Sequence, residues 1–447
     1  MRRLRVSAGA AALAALGLIA ALPAPAAADP GPGWVGGWLG DTTVGGPTAP
    51  ARTAALSLSS DADAVHPRVT VDLSGLGGVA TATFPAWCDR AGATVTCPMP
   101  PDATTDEFGG VNGTVPIVLR AVADASDGVA GTIGWTALAD GLDGEAQQAT
   151  VTVRTGPATA DLVDAYVGGA GTGDRLAVPV TLISIGDRPV TGLRATFRFP
   201  VGLEPTAYRN CRYGTGGQLS TIVVCHFGRE LMPGRRYEVP GGFPATVGPA
   251  AIGDKRIIQT VAPEATAGPL PEGVKLRHRP ADAALRLRPV GGPVDVLGTD
   301  QQSESGQYYL RAVRGAFDVV AVGASVSGAP GETVRVRVGL RNDGPGVPDG
   351  TVSGDSGGRF VFTPPAGTVV TNGERCSSAG DEEDPDAPVS WYCTVPDGVF
   401  PAGASYLVDF DLRVDGPLGA PGSVTVPYAY PRPDDEPAND TAAVTVS

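Results

Sequence analysis

After about residue 30 the sequence contains no run of about eighteen apolar residues and no long stretch with helical periodicity. The first absence means that no later segment is predicted to insert into a membrane. The second argues against a helical fold, because amphipathic helices would show an apolar residue every three to four positions.

Positive charge is also scarce. Lysine occurs only at Lys255 and Lys275, and 33 lysine and arginine residues face 47 aspartate and glutamate residues, which gives a net charge of −14. A chain this acidic repels nucleic acid and anionic membranes, so neither is a predicted partner. Two short arginine-rich stretches, Arg235-Arg236 and Arg277-His278-Arg279, are interpreted as solvated strand ends.

The sequence lacks a Walker loop, an HExxH motif and a recognisable pair of glycosidase carboxylates. Its best match to a catalytic motif is GDSGG at Gly354–Gly358, in which Ser356 would be a serine-hydrolase nucleophile. A nucleophile needs a histidine base and an oriented carboxylate, and His66, His226 and His278 lie in unrelated surroundings. The motif also precedes RFVF, which reads as a strand and not as a helix. We therefore interpret it as a turn and predict no catalytic residue and no enzyme activity.

The N-terminus carries a clear signal. MRRLR precedes the apolar stretch SAGAAALAALGLIAAL and then PAPAAA. This order is typical of a secretory signal peptide, which we predict over residues 1–28 with cleavage after Ala28. The C-terminal end, TAAVTVS, has no second hydrophobic stretch and no LPxTG-like sorting signal. The sequence therefore predicts a secreted, extracellular protein that is at most held non-covalently at the cell surface.

The cysteines form three close pairs separated by long gaps. They are Cys88 and Cys97, Cys211 and Cys225, and Cys376 and Cys393. Six cysteines allow many pairings, but this clustering favours three local disulfides, which export would permit. A metal site is disfavoured because no pair has C-x-x-C spacing and histidine is rare, so no metal or other cofactor is predicted.

The segments around the cysteine pairs repeat the same order. An alternating strand and a turn lead to a strand ending in F-x-F-P-like residues, then to a cysteine, a loop and V-x-C-like residues. The first strands matched in this way are HPRVTVDL (66–73), GDRLAVPVTLISIGDRPV (173–190) and GETVRVRVGLRNDGPG (331–346). The second strands are VATATFP (79–85), LRATFRFP (193–200) and RFVFTPP (359–365).

Half-buried strands and frequent turns predict the fold. Val334, Val336 and Val338 alternate with arginines, as in a strand with one apolar face. Glycine (63 residues) and proline (42 residues) supply many turns. We predict an all-β chain of tandem antiparallel Ig-like sandwiches, each with one local disulfide. The predicted repeats span residues 29–155 (the most divergent), 156–296 and 317–447, with a polar linker over 297–316.

The third repeat carries a family resemblance. LRNDGPG (Leu340–Gly346), the Cys376/Cys393 pair, FPAGASY (Phe400–Tyr406) and PANDTAAVTV (Pro437–Val446) resemble the conserved-repeat, immunoglobulin-like domains of bacterial surface proteins, especially those of secreted actinobacterial proteins of unknown function. The resemblance implies a sandwich fold and supplies no catalytic residues. Family members often carry a C-terminal wall anchor, from which this chain departs.

Two binding alternatives stay open. The acidic runs 380–386 and 434–440 could hold calcium, although neither has the spaced D-x-D-x-D-G pattern and solvated loops are the simpler interpretation. Trp34 and Trp38 are the best exposed candidates for a carbohydrate platform, with packing in the core or first strand as the preferred interpretation. We expect a non-catalytic spacer or adhesion module whose partners are cell-wall glycan or surface proteins. An envelope carbohydrate- or calcium-binding protein is the alternative, and a serine hydrolase is less favoured.

Overall fold

A computed structural model describes residues 33–107, 109–299, 301, 303–349, 358–373, 375–379, 389–395, 398–426 and 435–447. Within these ranges the protein is all-β, with two short 3-10 helices at Ser74–Leu76 and Pro437–Asn439 and no α-helix. The predicted all-β class with tandem sandwiches is therefore confirmed. The predicted signal peptide lies outside the described residues.

The first sandwich packs two mainly antiparallel sheets against each other. Its strands are β1 (Val35–Trp38), β2 (Thr42–Gly45), β3 (Ala51–Ser60), β4 (Arg68–Asp72), β5 (Ala80–Thr83), β6 (Asp89–Ala91), β7 (Thr94–Pro98), β8 (Thr104–Thr105), β9 (Val111–Ala121), β10 (Ala130–Ala139), β11 (Leu142–Asp143) and β12 (Gln147–Arg154). One sheet has the order β1-β3-β9-β5 and the other β2-β12-β10-β4-β7-β6. Alternate residues such as Leu56, Leu58, Val69 and Val71 are fully buried between them, as expected for strands with one apolar face.

The second sandwich has one long sheet and a divided partner. Its strands are β13 (Thr159–Asp161), β14 (Asp164–Gly168), β15 (Arg175–Val178), β16 (Thr181–Ser184), β17 (Val190–Phe199), β18 (Leu203–Pro205), β19 (Cys211–Thr215), β20 (Thr221–Leu231), β21 (Arg236–Glu238), β22 (Phe243–Val247), β23 (Gly253–Pro263), β24 (Arg288–Val290) and β26 (Ser305–Val313). Between β24 and β26 the chain forms β25 (Val296–Leu297), which pairs with β3 of the first sandwich. The order β14-β26-β23-β17-β20-β19 faces two shorter sheets, β13-β16-β21-β24 and β15-β22-β18. The division between β15 and β16 falls at Pro179, which has no N–H to donate to a ladder.

The third sandwich repeats the two-sheet plan. Its strands are β27 (Val319–Val322), β28 (Ala324–Val326), β29 (Thr333–Asn342), β30 (Arg359–Thr363), β31 (Thr368–Asn372), β32 (Cys376–Ala379), β33 (Ser390–Thr394), β34 (Ser405–Val414), β35 (Gly422–Thr425) and β36 (Thr441–Val446). The sheets have the orders β27-β29-β34-β31 and β28-β36-β35-β30-β33-β32. Val336 and Val338 of β29 and Phe410 of β34 are fully buried in the core.

One sheet has the same topology in all three sandwiches. It begins with an early strand that pairs in parallel with the last strand, namely β2 with β12, β14 with β26 and β28 with β36. It ends with the hairpins β6/β7, β19/β20 and β32/β33, whose first strand is at the sheet edge. The recurrence of this order shows that the three sandwiches are copies of one design.

The predicted linker over 297–316 is wrong for nine of its twenty residues. Residues 305–313 form β26, which pairs with β23 and β14 inside the second sandwich. Tyr308 and Leu310 are buried, so this stretch completes the core. The polar residues before it made the segment look like a linker, although SGQYYLRAV alternates between buried and more exposed residues over most of its length.

The repeat alignment is also wrong for the first copy, by one strand. Topology makes β4 the counterpart of β17 and β30, whereas the sequence had matched HPRVTVDL with the strand before them. The residues of VATATFP form β5, which pairs with β9 in the opposite sheet and corresponds to β18 and β31. The strands follow one another in the same order in each copy. In the first copy, however, the phenylalanine-proline motif comes at the end of β5, whereas in the other two it comes at the end of β17 and β30.

Candidate functional site

Three disulfides fasten the sheet edges. Cys88 is joined to Cys97, Cys211 to Cys225 and Cys376 to Cys393, with Cα–Cα distances of 4.3, 4.0 and 4.5 Å. These are the local pairs that the spacing favours. In the second and third sandwiches the bonded cysteines face each other in register across the hairpin. Each disulfide therefore fixes an edge strand, the element of a sheet most prone to fray or to pair with another chain.

The junction between the first and second sandwiches contains ordered backbone pairing. Val296 and Leu297 of β25 pair in parallel with the start of β3. The Arg120 guanidinium of the first sandwich donates to the carbonyls of Ala49 and Asp295 at 3.3 and 3.1 Å. A small apolar cluster that includes Leu297 and Ile183 lies alongside. The two sandwiches are thus joined through a sheet extension and not only through a covalent linker.

The junction between the second and third sandwiches contains a buried ion pair. Lys255 Nζ, on β23, lies 3.4 Å from Asp349 Oδ2, and the two side chains are 0% and 2% exposed. Ala251 and Val347 form a parallel bridge beside this pair, and Ile252 packs into the core of the third sandwich. Burial lowers the pKa of Lys255, while Asp349 partly opposes the shift. A buried cation of this kind is tolerated only while its carboxylate stays in place.

An aromatic stripe formed by Trp34 and Trp38 lies along β1 and the residue before it, at the edge of the first sandwich. Trp34 and Trp38 are 50% and 64% exposed, so the preferred core packing does not hold for them, although they do lie at the first strand. Between them, Gly36 shares their outward face, because a side chain there would meet the Trp34 ring at 3.6 Å. Gly37 faces inward against Trp135, which is buried.

A basic groove lies beside the stapled hairpin of the second sandwich. It has a volume of about 500 Å³ and is lined by Tyr213, Gly214, Thr215, Gly273, Lys275, Arg277, His278 and Arg279. Arg277 is not a solvated strand end, because its backbone exchanges two hydrogen bonds of 2.8 Å with Tyr213. Sequence reasoning identified the arginines but had no signal for this long-range pairing.

Two of the histidines considered as catalytic bases, His66 and His226, lie in different sandwiches, and the third, His278, lines the basic groove. His66 Nδ1 is 2.7 Å from Asp140 Oδ2 in the first sandwich, and His226 Nδ1 is 2.9 Å from Glu264 Oε2 in the second. Hydrogen bonds from His66 and then Arg68 hold the pKa of Asp140 below its usual value. Ser356 lies outside the described residues. The strand expected after it is present as β30.

Neither acidic run supplies a metal site within the described residues. The run 380–386 lies outside them, and so does residue 434. Of the second run, Asp435 Oδ2 accepts a hydrogen bond from the Phe317 N–H at 2.9 Å, and Asn439 Nδ2 donates to Asp318 Oδ1 at 3.1 Å, which are contacts within the third sandwich. Across the described ranges no group of three or more His, Cys, Asp or Glu side chains could hold a metal ion. No described helix is long and apolar enough to cross a bilayer.

No protein-family model matches the sequence, and no curated protein sequence is significantly similar to it. Several solved structures are distantly similar. The C-terminal domain of the Streptococcus agalactiae AgI/II polypeptide BspA has 7% identity and a TM-score of 0.16, covering 51% of this chain and 95% of that one. The Escherichia coli adhesin FdeC has 16% identity and a TM-score of 0.15, covering 92% and 96%. The I9–I11 tandem of titin has 8% identity and a TM-score of 0.16, covering 92% and 99%. Similarities this distant carry no functional argument.

Proposed function

We propose that the chain is an exported, non-catalytic protein of the bacterial surface or extracellular space that serves as a structural spacer or adhesion module. The observation that carries this proposal is the construction of its two junctions. A spacer must keep its modules at a fixed separation, and here both junctions contain backbone pairing and buried side chains. The predicted signal peptide over residues 1–28 and the resemblance to secreted actinobacterial surface proteins support export.

Small-angle X-ray scattering of the oxidised chain tests the spacer role. We expect a scattering profile of a single stiff particle. Ile252→Ser should loosen the second junction and broaden the distance distribution, because Ile252 is 1% exposed within the neighbouring core. Arg337→Gln, an exposed change within the third sandwich, is the control and should leave the profile unchanged. If the unmodified chain already scatters as beads on a flexible string, the spacer role is wrong.

Export itself has a separate test. Protein recovered from the native culture should begin at Asp29, as cleavage after Ala28 requires. It should be found in the medium or be released from the surface by salt, since non-covalent attachment is proposed. Recovery of a chain that still begins at Met1 inside the cell would contradict this.

The exposed tryptophans favour a second candidate function, binding of cell-wall glycan. Trp34 and Trp38 present large apolar surfaces to solvent on one strand face, about 13 Å apart along an extended chain, and aromatic rings are suited to contacts with sugar rings. A Trp34→Ala/Trp38→Ala variant should lose binding in a cell-wall pull-down. Tyr392→Ala, which removes an aromatic side chain of 49% exposure from the third sandwich, should bind normally. Equal binding by both variants would remove the aromatic stripe from consideration.

A further inference from the structure

The basic groove concentrates positive charge in a strongly acidic protein. Between residues 273 and 290 the sequence contains five lysine or arginine residues and one carboxylate, Asp282, whereas the whole chain has a net charge of −14. Four of the residues that line the groove are consecutive or nearly so, Lys275, Arg277, His278 and Arg279, and all four are exposed. The local potential therefore has the opposite sign to that of the molecule.

The cations of the groove differ from the arginines of the third sandwich in their ion pairing. In the third sandwich four arginines each lie within 3.6 Å of an aspartate oxygen. These pairs are Arg335–Asp411, Arg337–Asp409, Arg341–Asp343 and Arg413–Asp415. In the described part of the chain, no carboxylate lies within ion-pair distance of Lys275, Arg277 or Arg279. These charges are available to an external anion.

The groove is held in a fixed shape by the stapled hairpin. Arg277 is bonded to Tyr213, two residues after the disulfide-bonded Cys211. The Arg212 guanidinium donates to the Leu276 carbonyl at 3.1 Å. Further along, the Asn210 side chain accepts from the Leu285 N–H at 2.8 Å and donates to its carbonyl at 3.1 Å. The basic segment is therefore attached to the hairpin at several points, so less ordering entropy is lost when a ligand binds.

Two contacts show how closely the segment approaches β19. A side chain at Gly214 would come within 2.8 Å of the Lys275 carbonyl, so this glycine permits the approach. The Arg279 guanidinium lies 4.6 Å from the centre of the Tyr213 ring, a cation–π contact that orients it. Arginine in a fixed orientation can donate two parallel hydrogen bonds to a carboxylate or phosphate group.

We propose that this groove binds an acidic polysaccharide through its anionic groups, which are carboxylates or phosphodiesters. The volume falls within the range of about 300–1,000 Å³ typical of small-ligand sites, which suits a short length of a glycan chain. Single-stranded nucleic acid is disfavoured because its binding sites stack successive bases on exposed aromatic rings, whereas the one Phe, Tyr or Trp residue that lines the groove, Tyr213, is 3% exposed. The proposal is independent of the spacer role.

Titration of the full oxidised chain with four polymers tests this inference. Polygalacturonate presents carboxylates, poly(glycerol phosphate) presents phosphodiesters, and neutral dextran and single-stranded DNA are the comparisons. We expect at least one of the first two to bind, with an affinity that falls as salt increases. Lys275→Gln/Arg277→Gln should weaken that binding by about fivefold or more, because each charge-assisted contact is strong.

The matched control is Arg335→Gln/Arg337→Gln, which removes the same two charges from the third sandwich. It should change affinity by less than about twofold. Dissolved salt screens the attraction between the polymer and charges far from the groove, so a change in net charge alone has little effect on binding. The melting temperature of the groove variant should stay at the wild-type value, because both side chains are exposed. Preference between the first two polymers identifies the anionic group. Equal loss in both variants, tighter binding of DNA, binding of neutral dextran, or no binding at all would overturn the proposal.

Discussion

Asp161→Asn is a direct test of the electrostatics inside the second sandwich. Asp161 of β13 is 3% exposed. Its Oδ1 accepts hydrogen bonds from the Val163 N–H at 2.9 Å and the Gln259 amide at 3.1 Å. Its buried Oδ2 has no hydrogen-bond partner within the described residues. Burial raises the pKa of this carboxyl from 3.8 to about 7, against the smaller opposing effect of the hydrogen bonds.

The raised pKa makes stability depend on pH with a definite sign. Between pH 3.8 and about 7 the folded chain retains a proton on Asp161 that the unfolded chain has released. The free energy of unfolding therefore decreases as the pH rises through this window, by about 1.4 kcal/mol per pH unit. The stabilisation is fully present below pH 3.8, and about 4 kcal/mol has been lost above pH 7. That is a large share of the roughly 5–15 kcal/mol of a typical domain.

Asparagine preserves the Oδ1 acceptor and cannot ionise. It places an unpaired NH₂ where Oδ2 was, which costs about 1–3 kcal/mol. Above pH 7 we therefore expect the variant to be more stable than the wild type by roughly 1–3 kcal/mol. Below pH 3.8, where the wild type keeps its full stabilisation, the variant should be less stable by about 1–3 kcal/mol. Urea unfolding of the oxidised chain below pH 3.8 and above pH 7 measures the difference.

Asp282→Asn is the control, because Asp282 is an exposed aspartate in the same sandwich. Burial also raises the pKa of Glu304, which adds a slope of the same sign. Because Glu304 is present in wild type and variant alike, their difference isolates Asp161. If Asp161→Asn kept the wild-type pH slope, or were less stable above pH 7, the assignment of a neutral buried carboxyl would be refuted.

Three further changes should have defined effects. Lys255→Met leaves Asp349 buried without its cation and should cost about 3–5 kcal/mol in urea unfolding, whereas Lys255→Met combined with Asp349→Leu should recover most of that loss. Replacing the Cys211–Cys225 pair by alanines should cost roughly 3 kcal/mol, with hydrogen exchange rising first in β19. Gly202 has φ +84° and its added Cβ would lie 2.2 Å from the Ala251 nitrogen, so Gly202→Ala should lower the melting temperature more than Gly241→Ala, where φ is +74° but the space is open.

The sequence was sufficient for features that depend on neighbouring residues. The alternation at Val334, Val336 and Val338 predicted a half-buried strand, and all three side chains are buried in β29. The close spacing of the cysteines favoured local disulfides because a hairpin brings nearby residues opposite each other. Such signals survive because they repeat within a few positions of the chain.

Features that depend on distant residues were not predictable in this way. Lys255 and Asp349 are 94 residues apart, and Arg212 and Leu276 are 64 apart. No local pattern indicates that such pairs meet. The alignment of VATATFP failed for a related reason: a short motif marks the end of a strand but does not say to which sheet the strand belongs. Only the pairing of β5 with β9 decides that question.

The stapled edge of the second sandwich differs from those of the other two in what covers it. In each sandwich the sheet with the common strand order has two edges: the early strand that pairs in parallel with the last strand, and the disulfide-bonded hairpin. In the first and third sandwiches β6 and β32 end the sheet among the described residues. In the second, the segment at Arg277 pairs with β19 and covers the edge. The disulfide already fixes β19, and the charged side chains of that segment, Lys275, Arg277 and Arg279, are exposed and lie outside the core. The exposed basic residues of this segment are therefore not required by the core, and the titration with acidic polymers tests whether they serve an external ligand.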